Sequence, residues 1–330
     1  MRLFLLPIST RRTLIYCERA PPLPSTSTAK PPISERIIAK ASETWAKWER
    51  AEKGWQKQLT VQGNRFLKRI PYEEWGLKSF PPGTKKRLEE AEREGEGKWE
   101  CLFPGRFFGD GGKGQVERAK EVLGGLAGER QALHRKRLWW SVLGMPVTAP
   151  FALVPIIPNI PFFYLVFRAY SHYRALYGGK LLSHLISKDL VTITDSPELD
   201  SLYAAGLLHP HRDASRGAPK PTSTQIEQVA RVVEAQTHGG KEDVMVLQRW
   251  NGKLIAERFK LPEMEMEIER AVEQVEKVIE KERVELEDEK REVMRAAAAE
   301  GGRAASMSSG ASTPSAEPKR EDVANPDIKR

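Results

Sequence analysis

Two cysteines, Cys17 and Cys101, stand far apart in 330 residues, and neither has a second cysteine or a histidine at a metal-ligand spacing. That usage excludes a disulfide framework and a zinc finger, and it fits a reducing compartment. Acidic residues are missing between Glu129 and Asp189, and residues 138–167 carry no charge of either sign. No grouping of His, Ser, Cys and carboxylate residues approaches a catalytic motif, so neither an enzyme nor a bound cofactor is expected. The glycine-rich stretch 105–114 is not a phosphate loop. Lys113 is followed by Gly114, where magnesium would need Ser or Thr, and no apolar strand precedes the glycines.

What the chain does have is a net charge of +8 with 30% charged and 40% hydrophobic residues, unevenly spread. Zinc-finger, RNP-like and basic-zipper patterns are all missing, so the positive charge points to an anionic lipid bilayer and not to nucleic acid. The uncharged stretch 138–167 exceeds the roughly 20 residues an α-helix needs to cross about 30 Å of hydrocarbon. Prolines at 146, 150, 155, 158 and 161 argue against one straight helix. Pro155, Pro158, Asn159 and Pro161 mark the expected break between two legs, one over 138–154 and one from Phe162 onward. Arg130, His134, Arg135, Lys136 and Arg137 precede the stretch, and Arg168, His172, Arg174 and Lys180 follow it. Basic flanks at both ends favour a hairpin that returns to its starting side.

On the second leg Tyr164, Arg168 and His172 fall at four-residue steps and form a polar stripe. The stripe reads either as a proton- or ion-handling path or as an interfacial anchor of headgroup-seeking side chains. The missing membrane carboxylate weighs against an exchanger built from this stretch alone.

The other regions divide as follows. Residues 1–33 hold an Arg-containing start, suited to mitochondrial import, to a β-strand followed by a turn, or to both, and then a Pro-rich linker. Residues 34–83 form a Trp-rich amphipathic helical region. In it Ile37, Ala41, Trp45, Trp48, Trp55 and Leu59 share a face that lies on a bilayer or in a core. Residues 84–114 read as a charged, Gly-rich insert, and 115–208 as a membrane-associated core. Gly178 and Gly179 read as a break, with helices after it over 180–191 and 196–208. Residues 209–223 are a linker and 224–299 a helical region. Within the last, 263–299 repeats Ile268, Val272, Val275, Ile279, Leu286 and Val293 at the spacing of a coiled-coil seam, interrupted by Glu282. Such a seam implies a protein partner or self-association; the alternative is a solvated helix steadied by i to i+4 ion pairs. Residues 300–330 are expected to be disordered. The fold expected is mostly α: a membrane-embedded Pro-rich helical hairpin flanked by amphipathic helices, a C-terminal coiled-coil-like helix and a disordered tail.

The wording MRLFLLPISTRRTLIYC, ASETWAKWERAEKGWQKQLT, RIPYEEWGLKSFPP, PNIPFFYLVFRAYSHYRALYGG and SPELDSLYAAGL, in that order, resembles the fungal mitochondrial K+/H+ exchange-related protein family. The resemblance covers most of residues 1–80 and 115–280. It implies an inner mitochondrial membrane protein involved in potassium/proton exchange, as exchanger subunit or required factor, with K+ and H+ as the ions concerned. A membrane-tethered adaptor recruiting a partner through its C-terminal helix is the alternative. No catalytic or ion-binding motif is carried over.

Overall fold

The residues RLFLLP are apolar on both sides of the strand alternation, the pattern of a strand covered on both faces. They form β1 (Arg2–Pro7), one of the two interior strands of a four-stranded sheet ordered β2-β1-β3-β4. Its neighbours are β2 (Thr13–Cys17), antiparallel across a tight turn, and β3 (Trp99–Phe103), parallel; β4 (Val191–Asp195) extends the sheet parallel to β3. The computed structural model describes residues 1–18, 43, 47, 48, 50, 53–95, 97–109, 114–150, 160–209 and 218–308.

The helices are α1 (Trp55–Lys68), α2 (Tyr72–Ser79), α3 (Lys85–Glu94), the single turn α4 (Gly105–Phe108), α5 (Gln115–Gly128), α6 (Gln131–Thr148), α7 (Ile160–Ser187), α8 (Pro197–Leu208), α9 (Ser223–Gln236), α10 (Asn251–Phe259) and α11 (Pro262–Ser308). Leu3, Leu5, Ile15, Cys101 and Phe103 turn to one face of the sheet and pack on α2, α5 and α7. Phe4, Leu6, Leu14 and Tyr16 turn to the other and pack on α8, α10 and α11. The sheet is thus the middle of three layers. The chain is mostly helical as expected, but its centre is a mixed sheet that the helical reading did not contain. β3 lies inside the segment read as a charged insert, because its WECLF alternation is only five residues long.

The N-terminal segment forms the expected strand. Leu3, Phe4, Leu5, Leu6 and Ile8 are fully buried. Arg11 donates to the carbonyls of Gly240 and Lys241, and Arg12 pairs with Asp243. These arginines tie the β1–β2 turn to a distant loop. Cys17 and Cys101 both register with Leu3 from opposite neighbouring strands, which sets them about 10 Å apart, beyond disulfide reach.

α6 and α7 pack antiparallel, with His134 against His172 at one end and Gly144 against Leu165 nearer the other. This is the expected hairpin, with displaced legs. Pro161 sits in the first turn of α7, where a missing N–H costs little; Pro155, Pro158 and Asn159 lie outside the described residues. A membrane-spanning hairpin is corrected: among the described residues no helix is long and apolar enough to cross a membrane. The 28 residues of α7 take up Arg168, His172, Arg174 and Lys180, and α6 opens on His134, Arg135, Lys136 and Arg137. The described parts of the uncharged run therefore lie in or at the ends of two helices, each charged at its root.

Gly178 and Gly179 do not break the chain. α7 runs through them, and an added Cβ at Gly178 would lie 2.1 Å from the Leu77 carbonyl oxygen, so glycine is what lets α2 cross α7 this closely. Of the expected tryptophan face, Ile37, Ala41 and Trp45 lie outside the described residues, and Trp48 is half-buried.

The expected coiled-coil seam is also corrected. Ile268, Val272 and Val275 are buried in the core beneath the sheet, with Ile279 packed at its margin, so their partner is the protein's own interior. Leu286 and Val293 are 53% and 63% exposed, and Glu282 and Glu289 occupy the alternate seam positions between and beside them. Met1–Ile279 forms one compact unit and Glu280–Arg330 a second. α11 persists to Ser308, past the expected start of the tail, and residues 309–330 lie outside the described residues.

Two outcomes are expected. Gly178→Ala should destabilise the protein by about 1–3 kcal/mol or more through overpacking against α2, read as a lowered Tm. Truncation before Glu280 should leave the Tm of the remaining chain unchanged, whereas a seam that held a partner would lose stability in a concentration-dependent way.

Candidate functional site

α2 begins after Pro71 with Glu73 and Glu74 in its first turn, where the helix dipole favours acids. The two acids diverge. Glu73 pairs with Arg130 at 2.7 Å near the surface, while Glu74 points inward and is 1% exposed. Facing it on α7 are Arg168, Ser171 and His172, one turn of the same helix face. Arg168 donates from Nη1 to Oε1 of Glu74 at 2.9 Å and from Nη2 to Oε2 at 3.2 Å, and the Ser171 hydroxyl donates to Oε1. Arg168 Nη2 also lies 3.0 Å from His172 Nε2. His134, brought by α6, places its Nδ1 3.1 Å from His172 Nδ1. Three helices therefore meet around one buried carboxylate at the root of the hairpin.

Burial by itself would raise the Glu74 carboxyl. The Ser171 hydroxyl and the charge of Arg168 outweigh it, and the group is held below the usual carboxylate range. Burial pushes the His172 imidazole down to about 4 against the pull of Glu74, with Arg168 pushing the same way. His134 is lowered for the same first reason. Both rings are neutral at pH 7. Lys78, one turn further along α2, sits with Nζ 3.4 Å from the Trp75 ring centroid and 5.3 Å from that of Phe167; burial pushes it down to about 8. Arg270 of α11 lies 4.2 Å from the same Trp75 ring.

Of the expected stripe, the structure brings Arg168 and His172 together. Tyr164 is exposed one turn nearer the tip of the hairpin. The carboxylate that the apolar stretch lacks is supplied from sequence far away by Glu74. His134, read as part of a basic flank, faces inward. The legible signal for Glu74 is the pair Glu73-Glu74 between Tyr72 and Trp75, acids set among aromatics in a segment otherwise suited to a core. Chemically, both oxygens of Glu74 are already hydrogen-bonded and charge-matched, so the cluster as it stands is a closed ion-pair network.

The chain is similar to an uncharacterized protein of Schizosaccharomyces pombe, 32% identical over 205 residues, covering 61% of this chain and 81% of that protein. It is also similar to an uncharacterized protein of Saccharomyces cerevisiae, 24% identical over 239 residues, 67% of this chain and 75% of that one. No solved structure matches. The model of the family described as mitochondrial K+-H+ exchange-related matches residues 2–186, from β1 through nearly all of α7, and so takes in the sheet strands β1–β3 together with Glu74, His134, Arg168 and His172. With more than half of its length matched, the chain belongs to the mitochondrial K+-H+ exchange-related family.

Proposed function

We propose that this protein serves mitochondrial K+/H+ exchange as a required factor seated on the inner membrane by the tip of its α6–α7 hairpin. One observation carries the reading. Beyond the polar root, both helices are apolar towards solvent: Trp140 is 66% exposed, Val147 73% and Phe163 63%, with Trp139, Leu143 and Val166 exposed beside them. Large apolar side chains exposed together on two paired helices mark a contact with something apolar. Immediately behind the tip, Arg135, Lys136 and Arg137 are exposed as well, and no acid interrupts the sequence between Glu129 and Asp189. Apolar tip, tryptophans and then cations is the order in which a bilayer presents acyl chains, interface and anionic headgroups.

The closed Glu74–Arg168 network supports the role of a factor over that of an ion path. A second reading, recruitment of a protein partner, rests on the far part of α11, where Val284, Leu286, Val293 and Met294 are exposed.

The test combines docking with flux. The protein should float with vesicles containing anionic phospholipid and much less with neutral ones. Trp140→Glu with Leu143→Glu should abolish flotation, and mitochondria carrying that variant should lose K+-driven proton exchange. Vesicles holding only the purified protein should show no such flux. Full exchange by the non-docking variant would sink the membrane seat, and flux from the purified protein alone would sink the role of a factor.

A further inference from the structure

Glu74, His134 and His172 each offer a ligand atom, and these atoms lie within 4.8 Å of one another with all three residues buried. The two Nδ1 atoms are 3.1 Å apart. On a zinc ion at the usual ~2.05 Å that separation corresponds to an N–Zn–N angle of about 100°, near tetrahedral. Two imidazoles and one carboxylate form a donor set that suits a zinc-class ion and leaves a fourth position for water, whereas calcium and magnesium take mainly oxygen. The donors come from α2, α6 and α7, each held by its own packing.

The hydrogen bonds show how the site is filled at present. A guanidinium only donates, so His172 Nε2 accepts from Arg168 and the His172 ring proton sits on Nδ1. That proton points at His134 Nδ1, which therefore accepts, and the His134 proton sits on Nε2, buried without a hydrogen-bond partner. His134 is thus already in the tautomer that ligation requires, with its Nδ1 lone pair turned to His172. Two elements have to move for a metal: the Arg168–His172 bond, which holds the His172 proton on the ligating nitrogen, and the Glu74 carboxylate, bonded to Arg168 and Ser171 with Oε2 3.8 Å from His172 Nδ1, which has to close in on the histidines. The Arg168 side chain is 11% exposed, at the margin of the cluster, with a stem long enough to turn outward.

We propose that Glu74, His134 and His172 are the protein ligands of a facultative zinc-class cation site in which Arg168 is the resident cation that the metal displaces. When Arg168 withdraws, the His172 proton moves from Nδ1 to Nε2 and Nδ1 takes the metal. The ring stays neutral and no proton is released. Departure of the guanidinium also removes the repulsion that a divalent ion would meet beside Glu74. The inference does not depend on the membrane seat of the hairpin.

The measurement uses the purified full chain, with Zn2+ calorimetry and the visible absorption of Co2+ as a geometry report. Wild type should bind one ion. Arg168→Gln, whose side-chain carbonyl accepts from His172 Nε2–H, should bind at least about tenfold more tightly. Glu74→Gln with His134→Asn should lose binding, with circular dichroism checking that the variant folds; if it does not, the Arg168→Gln result decides alone. No tetrahedral Co2+ band in either wild type or Arg168→Gln would overturn the proposal. So would weaker binding by Arg168→Gln, or undiminished binding by the folded double variant.

Discussion

A carboxylate with 1% of its surface exposed has to be matched or it destabilises the fold, and the arrangement of α2, α6 and α7 follows from how Glu74 is matched. Taking an ionised carboxylate from water costs several kcal/mol even after relaxation. Arg168 answers with two hydrogen bonds and Ser171 with one more, while His172 is held neutral beside them. Removing one partner of such a pair costs about 3–5 kcal/mol, because the other charge is left stranded. The network therefore sets the rotation of α7 about its axis. With Arg168 and His172 turned inward, Phe163 and Val166 nearer the tip are left facing solvent.

That rotation explains the division of the hairpin into a polar root and an apolar tip. Gly178 lets α2 approach α7 closely enough for Glu74 to reach its partners, and Arg174 donates to the carbonyls of Lys78 and Phe80 to hold the same crossing. Lys78 and Arg270 flank Trp75, so the helix that carries the glutamate is fastened to α11 as well. Exposed apolar side chains beyond the root and a closed ion-pair network at the root are two consequences of one helix packing.

The N-terminal segment illustrates how one composition serves two readings. Arg2, Arg11 and Arg12 without an intervening acid are what import sequences use, yet Arg2 pairs with Glu18, Arg12 with Asp243, and the apolar residues between them build an interior strand. Composition does not reveal the strand; its partners do, and they lie more than 200 residues away in the case of Arg12. The same holds for α11, whose heptad-like spacing is satisfied by its own domain up to Ile279 and faces solvent beyond it.

Patterns of local period were readable from the chain: the paired helices around the prolines, the basic flanks, the Arg168 and His172 face, the helices over 197–208 and 223–236, and the long charged helix at the end. Each depends on neighbours a few residues apart, which is the range that periodicity reports. The middle layer of the fold was not readable, because β3 and β4 are five residues each and gain their identity only by pairing, β3 with β1 and β4 with β3. Nor was the polar cluster, since its carboxylate and its second histidine approach His172 from 98 and 38 residues away. Sequence alone determined which side chains share a helix face, because helix geometry is local. Only the tertiary structure decided which of those faces meet, because a buried charge selects its partner by position in space.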